Sequence, residues 1–366
     1  MFLEVKDLSV DLGEFKLKNI NFSIDKGEYL VLIGPTGSGK SVLLETIIGF
    51  YTEDKGDILF KGKSIKNLAP EKRNIGIVYQ DNVLFPNMNV YDNIAYGLKN
   101  KGFTNDEIKL KIDEISKILK IDHILNRSVD TLSGGEAQRT ALARALIVEP
   151  EIILMDEPFS ALDVSTQETL TNLIKQIGLK LNTTFIHVTH NFNDIWNLAD
   201  KVGVMENGVI HQINTVSEVF SKPENEFVAK FVGIGNVFDG IIEKSDTNCV
   251  KVKISDNLAL YSSDYEKCSI VHNGEKVTIA IRPENIIFSN ECFKSSARNR
   301  LKGKVIKTEE LGPIVNVHTE IDNVIFKGIL TRNSYESLAI EKGKDIFLIF
   351  KSLNVKMIDS YTSFKS

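Results

Sequence analysis

One glycine-rich segment restricts the fold of this chain more than any other feature of its sequence. Residues 34–41, GPTGSGKS, match the pattern G-x-x-x-x-G-K-[ST]. The apolar run Tyr29–Ile33 precedes the segment, and apolar residues at helical spacing follow it over residues 41–48. Glycines let backbone N–H groups converge on phosphate oxygens, and the start of a helix adds its positive dipole end. The sequence therefore predicts a strand, a phosphate-binding loop and a helix, which together begin an α/β domain.

A second, acidic motif supplies groups that a phosphate-binding loop needs. The apolar stretch 152–155 is predicted to be a buried strand, and Asp156 and Glu157 follow it. Asp156 is expected to hold Mg²⁺ through water beside the hydroxyl of Ser41, while Lys40 reaches the β- and γ-phosphates. Glu157 is expected to act as general base on the attacking water. The predicted phosphate-binding residues are Gly34, Pro35, Thr36, Gly37, Ser38, Gly39, Lys40 and Ser41.

The pattern of predicted strands and helices changes after about residue 232. Before it, buried strands alternate with helical stretches, which indicates a parallel sheet with helices on its faces. After it, short alternating segments are separated by Gly, Asn, Asp and Ser, which is typical of an all-β barrel. The predicted strands of this second part are 249–254, 276–281, 303–308, 314–319, 324–329 and 345–351. We therefore expect an α/β domain over 1–232, with a helical subdomain at about 84–150, and a β-rich domain over 233–366.

Composition and charge exclude several classes of protein. The 366 residues contain no apolar run near the roughly 18–20 residues that a membrane span needs. The N-terminus lacks the order of a signal peptide, and three cysteines are too few for a disulfide framework, so we expect a cytosolic chain. The net charge of −5 argues against binding nucleic acid through a basic surface. One basic run stands out, with six Lys and Arg residues and no acid between 294 and 307.

With further motifs the sequence resembles the ATP-binding subunits of ABC transporters. Residues 132–136, LSGGE, match the family signature LSGGQ with Glu in place of the final Gln. Gln80 follows a predicted strand, as the glutamine of the family's Q-loop does. Residues 160–163, SALD, match the D-loop, and His190 within VTH matches the switch histidine. These motifs occur in the family's order, so the resemblance implies a P-loop ATPase that uses ATP and Mg²⁺.

The resemblance also implies roles for individual residues. Two chains of the family sandwich two ATP molecules, so that Ser133 and Gly135 of one chain contact the γ-phosphate held by the other. Gln80 is then expected to sense Mg²⁺ and water, and His190 to hold the γ-phosphate and orient the water and its base. The implied catalytic residues are Glu157, His190 and Gln80. The implied Mg²⁺ ligands are Ser41, Gln80 and Asp156, and the further nucleotide contacts are Phe15, Ser133, Gly135 and Asp163.

The residue that stacks on adenine departs from the family's pattern. The family usually places an aromatic residue in the loop after the first strand, and the matching position here is Leu12. Phe15 is the nearest aromatic residue and the candidate substitute. The alternative is that Phe15 belongs to the core and adenine rests on Leu12.

The segment after Gln80 resembles the importers within the family. Leucine, phenylalanine and proline at 84–86 lead to a permease contact in these proteins, and we expect a docking surface around Phe85, Met88 and Val90. The alternative is that these three side chains are buried. The implied partners are a second copy of the chain, two integral-membrane permease subunits and a separate extracellular or periplasmic-type substrate-binding protein. The chain is then expected at the cytoplasmic face of the membrane.

The second domain resembles the regulatory TOBE and molybdate-pocket (Mop) domains of importer ATPases. Residues 280–284, AIRPE, and 296–305, SARNRLKGKV, match motifs of these domains. Fixed cations and neutral donors suit a tetrahedral dianion such as molybdate or tungstate. In the family such pockets form between two chains. The predicted oxyanion residues are Ser296, Ala297, Arg298, Thr331, Ser334, Lys351 and Ser352.

This resemblance implies an ATPase that powers molybdate or tungstate import, with a C-terminal domain that senses internal oxyanion and inhibits transport. Two alternatives stay open. One is an importer ATPase for another cargo, such as sulfate, iron, a polyamine or a sugar. The other is a non-transport, ATP-dependent regulator that responds to oxyanions. It would need a DNA-binding motif or a coiled-coil arm, and the sequence contains neither.

Overall fold

The computed structural model describes residues 1–160, 162–246, 249–264 and 271–358. Contacts divide the chain into two compact units, Met1–Val216 and Ser217–Ser366. The expected fold class, an α/β ATPase followed by an all-β domain, is confirmed by their elements. The division predicted at residue 232 stays a prediction.

The first unit contains ten strands and six helices within the described residues. Its strands are β1 (Leu3–Asp11), β2 (Lys16–Ile24), β3 (Tyr29–Ile33), β4 (Lys55–Phe60), β5 (Lys63–Ser64), β6 (Ile75–Val78), β7 (Ile152–Asp156), β8 (Thr184–Val188), β9 (Lys201–Glu206) and β10 (Val209–Thr215). Its helices are α1 (Lys40–Ile48), α2 (Val90–Asn100), α3 (Asn105–Ile118), α4 (Gly134–Leu146), α5 (Val164–Leu181) and α6 (Phe192–Leu198).

The strands of this unit form two sheets that share one core. The larger sheet has the order β10-β9-β3-β8-β7-β6, in which all strands except β10 run parallel. The smaller sheet, β2-β1-β4-β5, is antiparallel. Every residue of β3 and of β8 is buried. This explains why the sequence of β3 is continuously apolar rather than alternating, whereas β8 also buries the polar residues Thr184 and His187. Side chains from both sheets and from α1 form the main hydrophobic cluster.

The parallel register brings three strand ends to one edge of the larger sheet. The phosphate loop follows β3, Asp156 ends β7, and the segment with His190 follows β8. Asp156 lies opposite Val188, so the ends of β7 and β8 are level. Ligands of parallel α/β sheets bind at the carboxyl ends of the strands. The predicted phosphate and acid motifs therefore share this edge.

The helices α2, α3 and α4 pack together, with α2 against both others. Local capping explains where they begin. Thr104 and Glu107 form a capping box at the start of α3, and Ser133 forms a second capping box with Glu136 at the start of α4. The Asn89 side chain accepts the N–H of Asp92 at the start of α2.

The second unit contains short helices and antiparallel strands. The helices here are α7 (Val216–Ser221), which begins at the boundary, α8 (Glu226–Phe231) and α9 (Arg332–Ser337). The strands are β11 (Asn236–Asp246), β12 (Cys249–Lys253), β13 (Ala259–Ser262), β14 (Lys276–Ile281), β15 (Ile287–Ser289), β16 (Asn299–Leu311), β17 (Ile314–Ile321), β18 (Val324–Thr331), β19 (Asp345–Phe350) and β20 (Val355–Ile358).

These strands form two five-stranded sheets, β13-β12-β11-β14-β20 and β15-β19-β16-β17-β18. One hydrophobic cluster contains side chains of both, including Val250 and Val317, as in an OB-like barrel. The strand predicted at 303–308 extends over Asn299–Leu311, because it pairs with β19 at one end and β17 at the other. None of the helices in the described residues is long and apolar enough to span a membrane.

Candidate functional site

The phosphate loop adopts a backbone that its glycines permit. Gly39 precedes α1 with a φ of 100°, and Gly37 has a φ of 79°, both in the left-handed region that favours glycine. Gly34 is required for a different reason, since a Cβ there would lie 2.0 Å from the carbonyl oxygen of Met205. The loop therefore turns tightly between the buried strand β3 and the N-terminus of α1, as a phosphate-binding loop does.

Lys40 lies at the centre of this loop. Its Nζ donates to the carbonyl oxygens of Gly34 and Pro35, both at 2.9 Å, and to Oγ of Ser38 at 3.2 Å. Burial lowers the pKa of Lys40, while the charges of Glu157 and Asp156 act in the opposite direction. The ammonium group is thus held inside the loop by weak acceptors, which a phosphate can replace.

Asp156 and Ser41 fit a magnesium site. Burial raises the pKa of Asp156, and a hydrogen bond from Ser41 partly offsets that rise. A partly buried carboxylate next to a hydroxyl gains from a cation. Mg²⁺ commonly takes one or two protein ligands, with waters and substrate phosphates completing its shell. Among the described residues, no group of three or more His, Cys, Asp or Glu side chains is arranged to hold a metal ion by itself. Asp156 and Ser41 therefore suit a Mg²⁺ ion that is bound together with the phosphates of a nucleotide.

Glu157 and His190 form the predicted pair of catalytic side chains. Nδ1 of His190 lies 3.1 Å from Oε2 of Glu157. The backbone of Glu157 has a φ of 44° and donates its N–H to the carbonyl oxygen of Val188. A non-glycine residue in this region is strained, and such strain often occurs at functional positions. The turn after β7 directs Glu157 toward the exposed switch histidine.

Gln80 follows β6 at the same edge of the sheet. Val78 pairs with Met155, so Gln80 lies two residues beyond the pair, as Glu157 does on β7. The chain after Gln80 is fastened by Asn93, whose side chain accepts the N–H of Phe85 and donates to three backbone carbonyls. The segment is thus tied to α2 while Gln80 itself stays exposed.

The predicted docking surface is corrected at one position. Val90 is fully buried at the start of α2, so it cannot contact a partner. Phe85 and Met88 are half-buried, and Phe85 packs against Tyr96 and under the guanidinium of Arg144. The apolar pattern at 84–90 therefore combines one core residue with two that stay partly accessible.

The signature residues lie at the N-terminus of α4. The Ser133 hydroxyl accepts the N–H of Glu136, and Glu136 accepts the Ser133 N–H at 2.8 Å. Gly135 packs closely on α5, because a Cβ there would lie 2.8 Å from Cγ2 of Thr166. Asp163 caps α5 through Ser165 and Thr166, and these hydrogen bonds hold its pKa well below the usual range. Ala161, within the predicted D-loop, lies outside the described residues.

Phe15 lies beside the phosphate loop. Its ring is half-buried against the main hydrophobic cluster, and a Cβ on Gly39 would lie 2.5 Å from its Cζ. Leu12 is 40% exposed. Phe15 thus contacts both core and loop, so either residue can receive adenine, and the stacking role of Phe15 stays a prediction.

The predicted oxyanion residues form two groups in the second unit. Asn299 pairs with Phe350, which makes Arg298 and Lys351 neighbours at the start of β16, beside Ala297 and Ser352. Thr331 pairs with Ile314 near the far end of β16, and its hydroxyl lies 2.9 Å from that of Ser334. The two groups are separated by most of the 13-residue strand β16. Both Arg298 and Lys351 are exposed.

Comparisons with known proteins follow the same division of the chain. The ABC transporter family profile matches residues 17–160, and the TOBE domain profile matches residues 295–357. The molybdate/tungstate import ATP-binding protein of Pyrococcus abyssi is 42% identical over 355 residues, which cover 97% of this chain and 99% of that protein. The chain belongs to the ATP-binding subunits of ABC transporters. It is an ABC-type ATPase and the ATP-binding subunit of an importer.

Two further relatives extend this assignment. The spermidine/putrescine import ATP-binding protein of Clostridioides difficile is 37% identical over 348 residues, covering 94% of this chain and 95% of that protein. Among solved structures, a dimeric ATP-binding cassette in a post-hydrolysis state with ADP and Pi matches with a TM-score of 0.54 and 28% identity. The match covers 59% of this chain and 99% of that cassette. Importer ATPases with different cargoes thus share this architecture.

The ATPase site also contains residues that the sequence analysis missed. Glu45 lies one helical turn after Ser41, and burial and the charge of Asp156 raise its pKa. Burial, with the nearby Glu45 and Asp156, raises the pKa of Tyr79 to about 12. The i, i+4 spacing from Ser41 was a usable signal, because such residues share one helix face. The carboxyl group of Glu45 and the hydroxyl group of Tyr79 therefore add two further oxygen-bearing groups near Asp156.

Proposed function

We propose that this ATPase powers the import of molybdate or tungstate and that its second domain binds the same oxyanion inside the cell. The observation that carries the proposal is the pairing of Asn299 with Phe350, which places the exposed cations Arg298 and Lys351 beside this pair at one strand end. Two fixed positive charges with neighbouring hydroxyls suit a tetrahedral dianion. The 42% identity to an archaeal molybdate/tungstate import protein supports the same cargo.

In the ATPase domain, the loop amides and Lys40 would bind the phosphates of ATP. Ser41 and Asp156 would hold Mg²⁺, with Gln80 nearby, and the ion would supply charge neutralisation at the phosphates. Glu157 would accept a proton from the attacking water, and His190 would orient that carboxylate and contact the γ-phosphate. Adenine would rest on Phe15 or Leu12.

A complete ATP site would need a second copy of the chain. Ser133, Gly135 and Asp163 lie at the starts of α4 and α5, and in the proposed homodimer they would contact ATP held by the partner. A cassette with 28% identity is dimeric, which supports this arrangement. We further propose that the dimer binds two permease subunits at the cytoplasmic face of the membrane, through a surface that includes Phe85 and Met88, and that a separate substrate-binding protein delivers the oxyanion.

The oxyanion pocket would also lie between two chains. Ser296, Ala297, Arg298, Lys351 and Ser352 of one copy would face Thr331 and Ser334 of the other, because one chain holds the two groups at opposite ends of β16. Binding of internal oxyanion would hold the ATPase halves apart and inhibit transport.

Titration calorimetry of the full-length chain tests the ligand. We expect molybdate or tungstate to bind, and Arg298→Ala with Lys351→Ala to weaken binding at least tenfold. Arg300→Ala with Lys302→Ala is the matched control, because it removes the same charge from exposed positions of β16 and should change affinity less than twofold. Equal binding by all three proteins would refute the site.

A polyamine cargo is the second candidate, since a spermidine/putrescine import protein is 37% identical over nearly the whole chain. Uptake by cells that express the complete transporter distinguishes the cargoes. Import of spermidine without import of molybdate or tungstate would replace the proposed cargo.

A further inference from the structure

A buried chain of polar side chains runs from the strand before the phosphate loop to the segment with His190. The hydroxyl of Tyr29, at the start of β3, lies 3.1 Å from Nδ1 of His187 on β8. Nε2 of His187 lies 3.9 Å from Oδ2 of Asp194 on α6. That oxygen accepts a 2.7 Å hydrogen bond from the hydroxyl of Thr189. We call these four residues, Tyr29, His187, Asp194 and Thr189, the relay. Each of their side chains is at least nine-tenths buried.

The chemistry of these groups sets the direction of the hydrogen bonds. Burial holds the pKa of Tyr29 well above its usual range and lowers the pKa of His187 to about 3. The phenol therefore keeps its proton, and the nearby Asp194 carboxylate favours the tautomer with the imidazole proton on Nε2, in which Nδ1 accepts a hydrogen bond from the Tyr29 hydroxyl. Among the described residues, no acceptor lies within hydrogen-bond distance of Nε2. The Asp194 carboxylate is thus the group that this N–H can approach.

The relay includes Thr189 and contacts Asn191, which are the residues on both sides of His190. The Thr189 hydroxyl, which donates to Asp194, also accepts the backbone N–H of Asn191 at 3.0 Å. The residues immediately before and after the switch histidine are therefore tied to one buried carboxylate. The His190 side chain is itself 67% exposed, so packing does little to hold it 3.1 Å from Glu157.

We propose that His187 and Asp194 are positioning residues for ATP hydrolysis: they fix the backbone of residues 189–191 so that His190 stays in contact with Glu157. Neither is among the predicted nucleotide contacts, and the hydrogen bonds of Asp194 and Thr189 lead to the residues on either side of His190, so we expect them to act through His190. This inference rests on the catalytic role proposed for His190 and Glu157. It also gives a function to a histidine that the hydrolysis step itself does not use.

Two substitutions of His187 separate positioning from packing. His187→Phe keeps a ring against Phe159, whose centroid lies 5.3 Å away, but removes both nitrogens. His187→Gln supplies an oxygen to accept from Tyr29 and an N–H that can approach Asp194. We expect His187→Phe to lower kcat about tenfold with KM for ATP changed less than twofold, because misplacing a catalytic group slows the reaction without weakening substrate binding. We expect His187→Gln to recover at least half of the lost rate.

A double variant tests whether His187 acts through His190. In the His190→Ala background, His187→Phe should lower kcat less than twofold further. Thr184→Val is the control, since Thr184 is buried on the same strand and its hydroxyl accepts the N–H of Gly27 outside the relay. It should leave kcat within twofold. Thr189→Val, which removes the hydroxyl between Asp194 and Asn191, repeats the test if His187→Phe does not fold.

The outcomes distinguish this inference from the function on which it rests. A wild-type rate for His190→Ala would overturn the role of His190, and with it the inference. A slow His190→Ala with wild-type kcat in His187→Phe and Thr189→Val would overturn the relay alone. Failure of His187→Gln to recover activity, or an independent tenfold loss in the double variant, would also contradict positioning through His190.

Discussion

Two neighbouring carboxylates at the end of β7 have different surroundings, and the difference fits the different roles proposed for them. Asp156 is half-buried beside Ser41 and near Lys40, where a cation is favourable. Glu157 turns away from the strand with a φ of 44° and meets His190 at 3.1 Å. A base needs access to water and an orienting partner, and Glu157 has both. Adjacent residues of one strand end would thus serve the two proposed roles, Asp156 in binding Mg²⁺ and Glu157 in accepting a proton.

Replacing Glu157 with Gln should separate nucleotide binding from hydrolysis. The amide keeps the size of the side chain but cannot accept the proton of water, so we expect kcat to fall at least about a hundredfold. ATP affinity, measured with a fluorescent nucleotide, should change less than threefold. Glu151→Gln is the control, since Glu151 precedes the same strand and pairs with Lys61 at the surface. Near-normal turnover by Glu157→Gln would exclude it as the base.

Buried His187 should make the ATPase sensitive to acid. The unfolded chain takes up a proton on this residue below a pH of about 6.5, whereas the folded chain does so only near its pKa of about 3. Stability is therefore lost as the pH falls between these values, by about 2 kcal/mol at pH 5. In His187→Gln, the difference in unfolding free energy between pH 7.5 and pH 5 should shrink by about that amount in urea titrations. The same shrinkage in Thr184→Val would contradict this assignment.

Among the helices and strands, the sequence predicted the ones that a local pattern of residues defines. The apolar runs at Tyr29–Ile33 and 152–155 are the buried strands β3 and β7, as expected. Strand β16 was predicted too short, because pairing with two neighbours rather than its own alternation sets its length. Phosphate-loop, acid and switch residues were predictable because each follows a recognisable element.

The contacts that no local pattern encodes were missed. Glu45 and Tyr79 approach Asp156 from α1 and β6, and the relay joins residues up to 165 positions apart in sequence, from Tyr29 to Asp194. Val90 was misassigned for the same reason, since its burial depends on how α2 packs and not on the apolar pattern around it. Such neighbours are determined by packing between elements, which periodicity along one element does not report.

The capping box of α4 predicts different effects for substitutions of its two residues, Ser133 and Glu136. Glu136 stands where the family has Gln, and either side chain can accept the Ser133 N–H. Glu136→Gln should therefore change the free energy of unfolding by less than about 1 kcal/mol, the range of a surface ion pair such as that with Arg127, and leave kcat within twofold. Ser133→Ala should cost about 1 kcal/mol through the lost cap and lower ATPase activity at least tenfold through the proposed γ-phosphate contact. Equal activities of the two variants would contradict that contact.

In the whole molecule, the positions of the predicted oxyanion residues allow a test of whether each pocket is formed by one chain or by two. One variant carries Arg298→Ala and Lys351→Ala, and a second carries Thr331→Ala and Ser334→Ala. If each pocket combines the first group of one chain with the second group of its partner, a mixed dimer has one pocket with both groups mutated and one with both intact. Each variant alone should not bind molybdate or tungstate, whereas co-expressed and purified mixed dimers should bind half as much as wild type with wild-type affinity.

The arrangement along β16 gives this expectation its physical basis. Arg298 precedes the strand, and Thr331 is paired close to its other end, so one copy cannot bring both groups around an ion a few ångströms wide. Mixed dimers of wild type with Arg300→Ala and Lys302→Ala control for the purification and should bind fully. Absence of binding in the mixed dimers of the two pocket variants would place each pocket within one chain. Binding by either variant alone would show that its group of residues is dispensable.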